Sequence, residues 1–185
     1  MPQADTRSFI YQINHKDVIT YINPEWLDFA HENNYDIIEN TSILGTSLWH
    51  YVVNPQTIQI YQTLIKKVRE GHDSIKVPYR CDSPDKRRFM EMEISSSGEQ
   101  DVAFINAILR EESRPVVHLL DPAYPRNQQM ISMCGWCKKV RTNGSWLETE
   151  DAIIELKIFD EPEIPQITHG ICPTCKTDLT QSLLN

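Results

Sequence analysis

The chain has 185 residues, of which 40% are hydrophobic and 24% charged, and its net charge is −8. This composition supplies apolar material for one sizeable core, excludes a mostly disordered chain and argues against a broad nucleic-acid surface. No stretch approaches 18 uncharged apolar residues and the first residues contain no apolar signal segment, so we expect a cytoplasmic protein with no membrane contact.

The first predicted elements are a β-hairpin and a short helix. Residues 9–13 alternate between two faces, and residues 18–22 are β-branched and aromatic, which is typical of paired strands. Asn23 followed by Pro24 predicts a helix start, because asparagine caps a helix and proline suits its first position.

A longer helix and three strands follow. Asn54 and Pro55 repeat the cap-and-proline signal, apolar residues of 58–68 fall on one helical face, and Gly71 ends the helix. Strands are predicted over 75–81, 89–94 and 102–109. Because short turns join these strands, we expect antiparallel pairing and an α+β fold with helices on one face of the sheet.

This order of elements resembles a PAS domain over residues 8–113. Residues 21–23 resemble the family's second strand running into its first helix, and residues 78–84 with 87–90 resemble small bacterial PAS-like proteins. The resemblance implies a sensor or interaction domain, with a small-molecule ligand or a protein partner, and a homodimer formed through a sheet face.

Apolar side chains on the inward faces of these elements are candidates for lining a ligand cavity. The alternative is that they simply fill the core. The candidate lining residues are Phe29, Trp49, Tyr61, Ile65, Tyr79, Met92 and Phe104. The lone Cys81 alternates with inward-facing residues of its strand, so we expect it to act as a small core hydrophobe and not as a sensor thiol.

Four of the five cysteines form two CxxC pairs. The ligands Cys134, Cys137, Cys172 and Cys175 are predicted to hold one structural Zn²⁺, because thiolates are soft ligands and a structural zinc site has four closed positions. A redox dithiol pair and an iron–sulfur cluster remain alternatives. We also expect one helix between the pairs, capped by Thr149.

The segment that contains both cysteine pairs has a resemblance of its own. Residues 134–141, 144–146 and 169–175 are similar to a tail found in bacterial signalling proteins after PAS, GAF or receiver domains. His169 lies three residues before Cys172 and is predicted to donate a hydrogen bond to a ligand sulfur.

The predicted organisation is a PAS-like domain at 1–113, a connector at 114–130 and a zinc-ribbon-like tail at 131–185. The apolar run of the connector is expected to lie on the first domain. Because the first domain contributes no cysteine ligand, we expect its core to survive loss of the metal.

The two resemblances imply a bacterial signalling protein. We expect it to be non-enzymatic, since no phosphate loop, nucleophile elbow or metalloprotease motif is present. One alternative is a thiol redox switch. Another is a transcription-linked zinc ribbon that contacts nucleic acid through Lys138, Lys139 and Arg141, although the net charge weighs against it.

Overall fold

The computed structural model describes residues 7–33 and 43–182. Within these ranges, the first unit contains five strands and two α-helices. Its elements are β1 (Ser8–Ile13), β2 (Ile19–Ile22), α1 (Pro24–Glu32), a 3₁₀ turn (Leu48–His50), α2 (Pro55–Arg69), β3 (Ser74–Arg80), β4 (Lys86–Ser96) and β5 (Val102–Ser113).

Both predicted helix starts are confirmed in atomic detail. The side chain of Asn23 accepts a hydrogen bond from the backbone N–H of Trp26, and that of Asn54 accepts from Gln56 and Thr57. Gly71 follows α2 with φ of +105°, a left-handed conformation that favours glycine. These local signals therefore fix where the helices begin and end.

The five strands form one antiparallel sheet in the order β2-β1-β5-β4-β3. Phe104 of β5 is paired with Tyr11 of β1 and Ile94 of β4, so these inward positions share one face. Leu64 and Ile65 of α2 pack against that face in the buried core. The predicted α+β class, with a PAS-like antiparallel sheet and helices on one face, is confirmed.

Strands β4 and β5 are longer than predicted. Their ladder continues outward from Phe89 to the pairs of Arg88 with Glu111 and Lys86 with Ser113. Across this extension, Glu111 forms one ion pair with Lys86 and one with Arg88, each at 2.8 Å. Charged cross-strand pairs therefore hold together a segment that apolar alternation alone does not identify.

The tail contains a second, mixed sheet in the order β8-β7-β6-β9. Its elements are a 3₁₀ turn (His118–Leu120), β6 (Arg126–Cys134), β7 (Val140–Arg141), β8 (Trp146–Leu147), α3 (Thr149–Glu155), β9 (Ile164–Gly170) and α4 (Pro173–Ser182). The predicted helix between the cysteine pairs is present, with Glu148 and not Thr149 at the cap position. Strand β6 begins within the predicted connector.

The connector packs differently from the prediction. Val117 and Leu119 are buried in a cluster with Met133, Val140 and Ile164, which all belong to the tail. The side chains of the apolar run therefore contribute to the core of the tail, and its contact with the first unit is through the backbone, where the Val117 N–H donates to the Pro84 carbonyl at 2.8 Å.

The first unit and the tail share one buried core. Cys134, Trp136 and Cys172 of the tail belong to the same cluster as Ile65 and Phe104 of the first unit. The backbone N–H of Arg80, at the edge strand β3, also donates to the carbonyl of Trp136 at 2.7 Å. The expectation that the first core is independent of the tail is wrong, because cysteines of the tail form part of that core.

Within the described ranges, no helix has the length and apolar character needed to cross a membrane.

Candidate metal centre and adjoining cavity

The four paired cysteines meet at one point. Their sulfur atoms all lie within 4.8 Å of one another, with Cys134 and Cys172 buried and Cys137 and Cys175 half-buried. The sulfurs of Cys137 and Cys172 are 3.7 Å apart. This spacing is far longer than a disulfide bond of about 2.05 Å, and it matches the edge of about 3.8 Å in a tetrahedron whose metal–sulfur distance is about 2.3 Å. The cysteines can therefore hold a metal ion.

Backbone geometry brings the two pairs together. Strands β6 and β9 run parallel, so Cys134 ends beside Gly170, and the N–H of Gly135 donates to the Gly170 carbonyl at 2.9 Å. Lys138 adopts a left-handed φ of +62° immediately after the first pair. The N–H of Cys172 donates to the Cys134 sulfur at 3.4 Å. The first CxxC segment is thus a tight turn, the second spans the start of α4, and both bring their sulfur atoms to the same point.

The sulfurs perturb one another electrostatically. The side-chain hydrogen bonds that Cys134 accepts from Cys137 and Cys175 lower the pKa of the Cys134 thiol. The hydrogen bond to Cys134 raises the pKa of Cys137 to about 12. The cluster therefore favours a thiolate at a buried position, and the thiolate is the form that binds metal.

His169 is anchored by its backbone. Its carbonyl accepts a hydrogen bond from the Asn54 side chain at 2.6 Å, and this bond ties strand β9 to the start of α2. In the described part of the chain the imidazole makes no hydrogen bond to a sulfur. Burial, and then Lys138, lower the pKa of His169, while Cys134 opposes them. In the structure, His169 therefore helps to hold β9 against the start of α2 through its backbone carbonyl, and not through its imidazole.

A cavity of about 490 Å³ lies between α1, α2 and the sheet. Phe29, Tyr61 and Tyr79, three of the seven predicted lining residues, line it. The described residues that line it are Phe9, Tyr11, Trp26, Phe29, Ala30, Ile43, Tyr51, Tyr61, Tyr79, Cys81, Met90 and Asn106.

The other four predicted residues lie elsewhere. Ile65, Met92 and Phe104 are at most 2% exposed and belong to the packed core beneath α2. The indole N–H of Trp49 donates to Asp17 at 2.9 Å, which holds that ring away from the cavity. The cavity is therefore displaced from the predicted position toward α1 and the β1 strand.

Sequence reasoning missed several of the lining residues. Phe9 and Tyr11 were assigned to a strand whose alternation does place them inward. Asn106 is the one buried polar residue of the apolar strand β5, and it is 7% exposed. A buried amide among apolar neighbours was the signal that could have identified this site.

Asn106 organises the polar groups of the cavity. Its side-chain amide donates to the Phe9 carbonyl at 3.1 Å, and its oxygen accepts from the Tyr79 hydroxyl at 2.9 Å. Burial raises the pKa of Tyr79 well above its usual value and that of Tyr61 to about 12. These tyrosines therefore stay neutral at physiological pH.

A chain of aromatic contacts joins the cavity to the cysteine cluster. Trp136, inside the first cysteine pair, packs against Tyr61 with ring centroids 5.9 Å apart. Tyr61 stacks on Phe104 at 6.0 Å, and Phe104 stacks on Tyr11 at 4.5 Å. Tyr11 and Tyr61 both line the cavity, so the two sites share a wall.

Charged side chains form a second junction between the first unit and the tail. Arg80 bonds to Asp82 of its own unit and to Glu148 of the tail. Arg114 contacts Asp82 at 3.3 Å and Glu150 at 3.2 Å. Although burial opposes it, the hydrogen bonds to Asp82 and Glu148 raise the pKa of Arg80. We call this cluster the charged junction; its members are Arg80, Asp82, Arg87, Arg114, Glu148 and Glu150.

Acid should weaken the charged junction. Burial alone would raise the pKa of Glu150, but its own backbone N–H, Arg87 and Arg114 outweigh burial and lower it. A lowered folded-state pKa contributes stability above the unfolded value of about 4.3, and this stability is lost as the pH falls through the folded value. We expect Glu150→Gln to lose less stability than the wild type between pH 5 and pH 3 in urea unfolding. Glu99→Gln, at an exposed turn, should follow the wild-type curve, and identical curves for all three proteins would contradict the expectation.

Comparison with known proteins gives remote structural similarity. No family model and no curated protein matches the sequence. A sensory box sensor histidine kinase from Vibrio cholerae is 10% identical, with 56% of this chain and 82% of that chain covered and a TM-score of 0.39. A domain of an HTR-like protein from Haloarcula marismortui is 13% identical, with 56% and 98% covered and a TM-score of 0.35. The PAS domain of an HTR-like protein from the same organism is 16% identical, with 57% and 84% covered and a TM-score of 0.35. These TM-scores are low, and the PAS-like description of the first unit rests on its own strand order and helices.

Proposed function

We propose that this chain is a non-enzymatic, cytoplasmic bacterial signalling protein. Its PAS-like unit binds a small molecule in the cavity, and its tail holds one structural zinc ion at Cys134, Cys137, Cys172 and Cys175. Binding of the small molecule in the cavity changes the conformation of the tail, and the tail in turn engages a protein partner or a second copy of the chain.

One observation carries this proposal. Tyr61 forms part of the cavity wall and packs on Trp136, which lies between two of the proposed zinc ligands. A ligand that moves Tyr61 must therefore disturb the backbone of the first cysteine pair. The route is a direct side-chain contact and does not need the 114–130 segment.

The donor set favours zinc. Four thiolates in a closed arrangement suit a structural zinc site and leave no open position for a reacting water. Native mass spectrometry of the purified protein tests the proposal, because it reports metal, co-purified small molecule and oligomeric state together. One zinc per chain is the expected result, and a protein with two disulfides and no metal would contradict it.

Coupling between the two sites should be measurable. N-phenyl-1-naphthylamine, a neutral aromatic probe that fits the cavity, should raise the zinc affinity measured by competition with a chromogenic chelator by about fivefold. Trp136→Leu should abolish that increase, because it removes the ring that Tyr61 contacts. An equal increase in the wild type and the variant would contradict transmission through Tyr61.

A thiol redox switch is the second candidate. The half-buried Cys137 lies 3.7 Å from the Cys172 sulfur, so loss of zinc would leave two thiols close enough to pair after a small movement. Counting free thiols and bound zinc before and after mild peroxide distinguishes the two functions. If zinc and free thiols are lost together after peroxide, the redox switch is favoured. If both are retained, a structural site is favoured.

The nucleic-acid alternative is weaker. The Lys138 ammonium donates to the Gly135 carbonyl at 2.8 Å and so is already used inside the first cysteine turn. Phosphate contacts must show a steep salt dependence. Binding assays at low and physiological salt therefore decide whether Lys139 and Arg141 contact nucleic acid.

A further inference from the structure

The chemical character of the cavity limits what it can bind. Among its described lining residues, seven are aromatic and none is Asp, Glu, Lys, Arg or His. A charged ligand would lose its hydration in such a site without gaining an opposite charge, and burial of an unpaired ion is strongly unfavourable. A volume of about 490 Å³ lies within the range of small-molecule sites, about 300–1,000 Å³.

Two guanidiniums lie over rings of the described cavity wall, and both are already paired. That of Arg7, 5.6 Å from the Phe9 ring centroid, bonds to Glu32 at 2.8 Å. The guanidinium of Arg88 lies behind the cavity wall, 5.4 Å from the Phe29 ring centroid, and its Nε donates to Glu111 at 2.8 Å. The titratable lining groups also remain uncharged. Burial raises the pKa of the Cys81 thiol and of Tyr11, Tyr61 and Tyr79. The described part of the cavity wall is therefore electrically neutral as well as apolar.

The cavity contains one defined polar pair. Because the Tyr79 hydroxyl donates its hydrogen to Asn106, the phenolic oxygen keeps its lone pairs available as acceptors. The Asn106 amide gives one hydrogen to the Phe9 carbonyl, and its second hydrogen remains available. The pair thus offers one acceptor and one donor side by side, which a hydroxyl or amide group can satisfy.

We infer that the cavity selects a neutral aromatic compound that carries a hydroxyl or amide group, with its rings among the aromatic side chains and its polar group on Tyr79 and Asn106. This inference rests on the proposed small-molecule role of the first unit and names the ligand class. Tyr79 and Asn106 determine the orientation of the compound, and the absence of a counter-charge in the described lining excludes carboxylates and protonated amines.

Two fluorescent probes with the same ring skeleton test the ligand class. N-phenyl-1-naphthylamine is neutral, and 8-anilino-1-naphthalenesulfonate adds one negative charge. At about 1 M salt, which screens surface charge beyond about 3 Å, the neutral probe should bind the whole protein at least tenfold more tightly. A sulfonate that binds as tightly as the neutral probe would overturn the inferred ligand class.

A cavity-filling variant locates the binding site. Cys81→Phe should remove probe binding by filling the cavity, and the control Leu109→Phe, at an exposed position of β5, should retain it. Since the larger side chain can impair folding, a second measurement uses the wild type: the bound neutral probe should slow alkylation of Cys81. Failure of both probes to bind the wild type, or unchanged Cys81 alkylation, would overturn the small-molecule role itself. Tight sulfonate binding that Cys81→Phe blocks would overturn only the ligand class.

The polar pair has a separate readout. In competition with the neutral probe, 1-naphthol should bind several-fold more weakly to Tyr79→Phe than to the wild type. The matched control, Tyr21→Phe, changes an exposed tyrosine on β2 and should leave the affinity unchanged. Equal 1-naphthol affinities for all three proteins would show that Tyr79 does not hold the polar group.

Discussion

Replacing Cys172 with serine is expected to destabilise the first unit and the tail together. Cys172 is 2% exposed and belongs to the same buried cluster as Leu64 and Ile65 of α2. Loss of one ligand opens the metal site and places a hydroxyl in an apolar environment. Hydrogen exchange should show α2 and β3 losing protection along with β6 and β9.

The expected magnitude is large. Structural zinc contributes about 10–16 kcal/mol of apparent binding free energy in zinc-finger peptides, whereas whole domains are stable by only about 5–15 kcal/mol. Removing one of four ligands therefore takes away a substantial part of the free energy of unfolding. Strong chelation of the wild type should produce the same joint loss of protection.

Cys81→Ser is the matched control, because it makes the same substitution at the cysteine outside the cluster. It should leave zinc content unchanged and the tail protected. If Cys172→Ser or chelation loosens only β6–β9 and leaves α2 and β3 protected, the shared core does not couple the two units.

Short-range signals in the sequence predicted the local structure well. The caps Asn23 and Asn54 act within three residues of their own position, and strand alternation needs only neighbouring residues. The CxxC spacing likewise predicted the cysteine cluster, since each pair is a local turn and four sulfurs need a common centre. These features depend on the chemistry of a few consecutive residues.

The missed features all depend on residues far apart in the chain. The contact between Tyr61 and Trp136, and the bond from Asn54 to His169, link positions more than 70 residues apart. The parallel pairing of β6 with β9 has no local signature, because a parallel pair needs a long connection. The cavity was displaced from its predicted position for the same reason: which inward residues pack and which leave space depends on where α1 and α2 rest on the sheet.

Replacing Asp82 with alanine is expected to cost about 3–5 kcal/mol, because it leaves two buried guanidiniums without their shared carboxylate. The side chain of Asp82 is fully buried, and those of Arg80 and Arg114 are 8% and 6% exposed. Both arginines keep a second partner in the tail, Glu148 and Glu150, but these carboxylates are each about one-third exposed and cannot neutralise the interior of the charged junction.

The loss of stability in Asp82→Ala should appear first where the first unit meets the tail. Arg80, which contacts Asp82, also donates its backbone N–H to the carbonyl of Trp136. Loss of the Asp82 carboxylate should therefore displace Arg80 and, with it, the first cysteine pair. We expect Asp82→Ala to lower the urea midpoint and to speed zinc release to a chelator, and Asp82→Asn to recover part of both because its amide oxygen still accepts from Arg80. Glu91→Ala provides the control, since it breaks an ion pair whose Lys76 side chain is 57% exposed and which should contribute at most about 1 kcal/mol. A change for Asp82→Ala as small as that for Glu91→Ala would mean that the buried carboxylate does not hold the tail on the first unit.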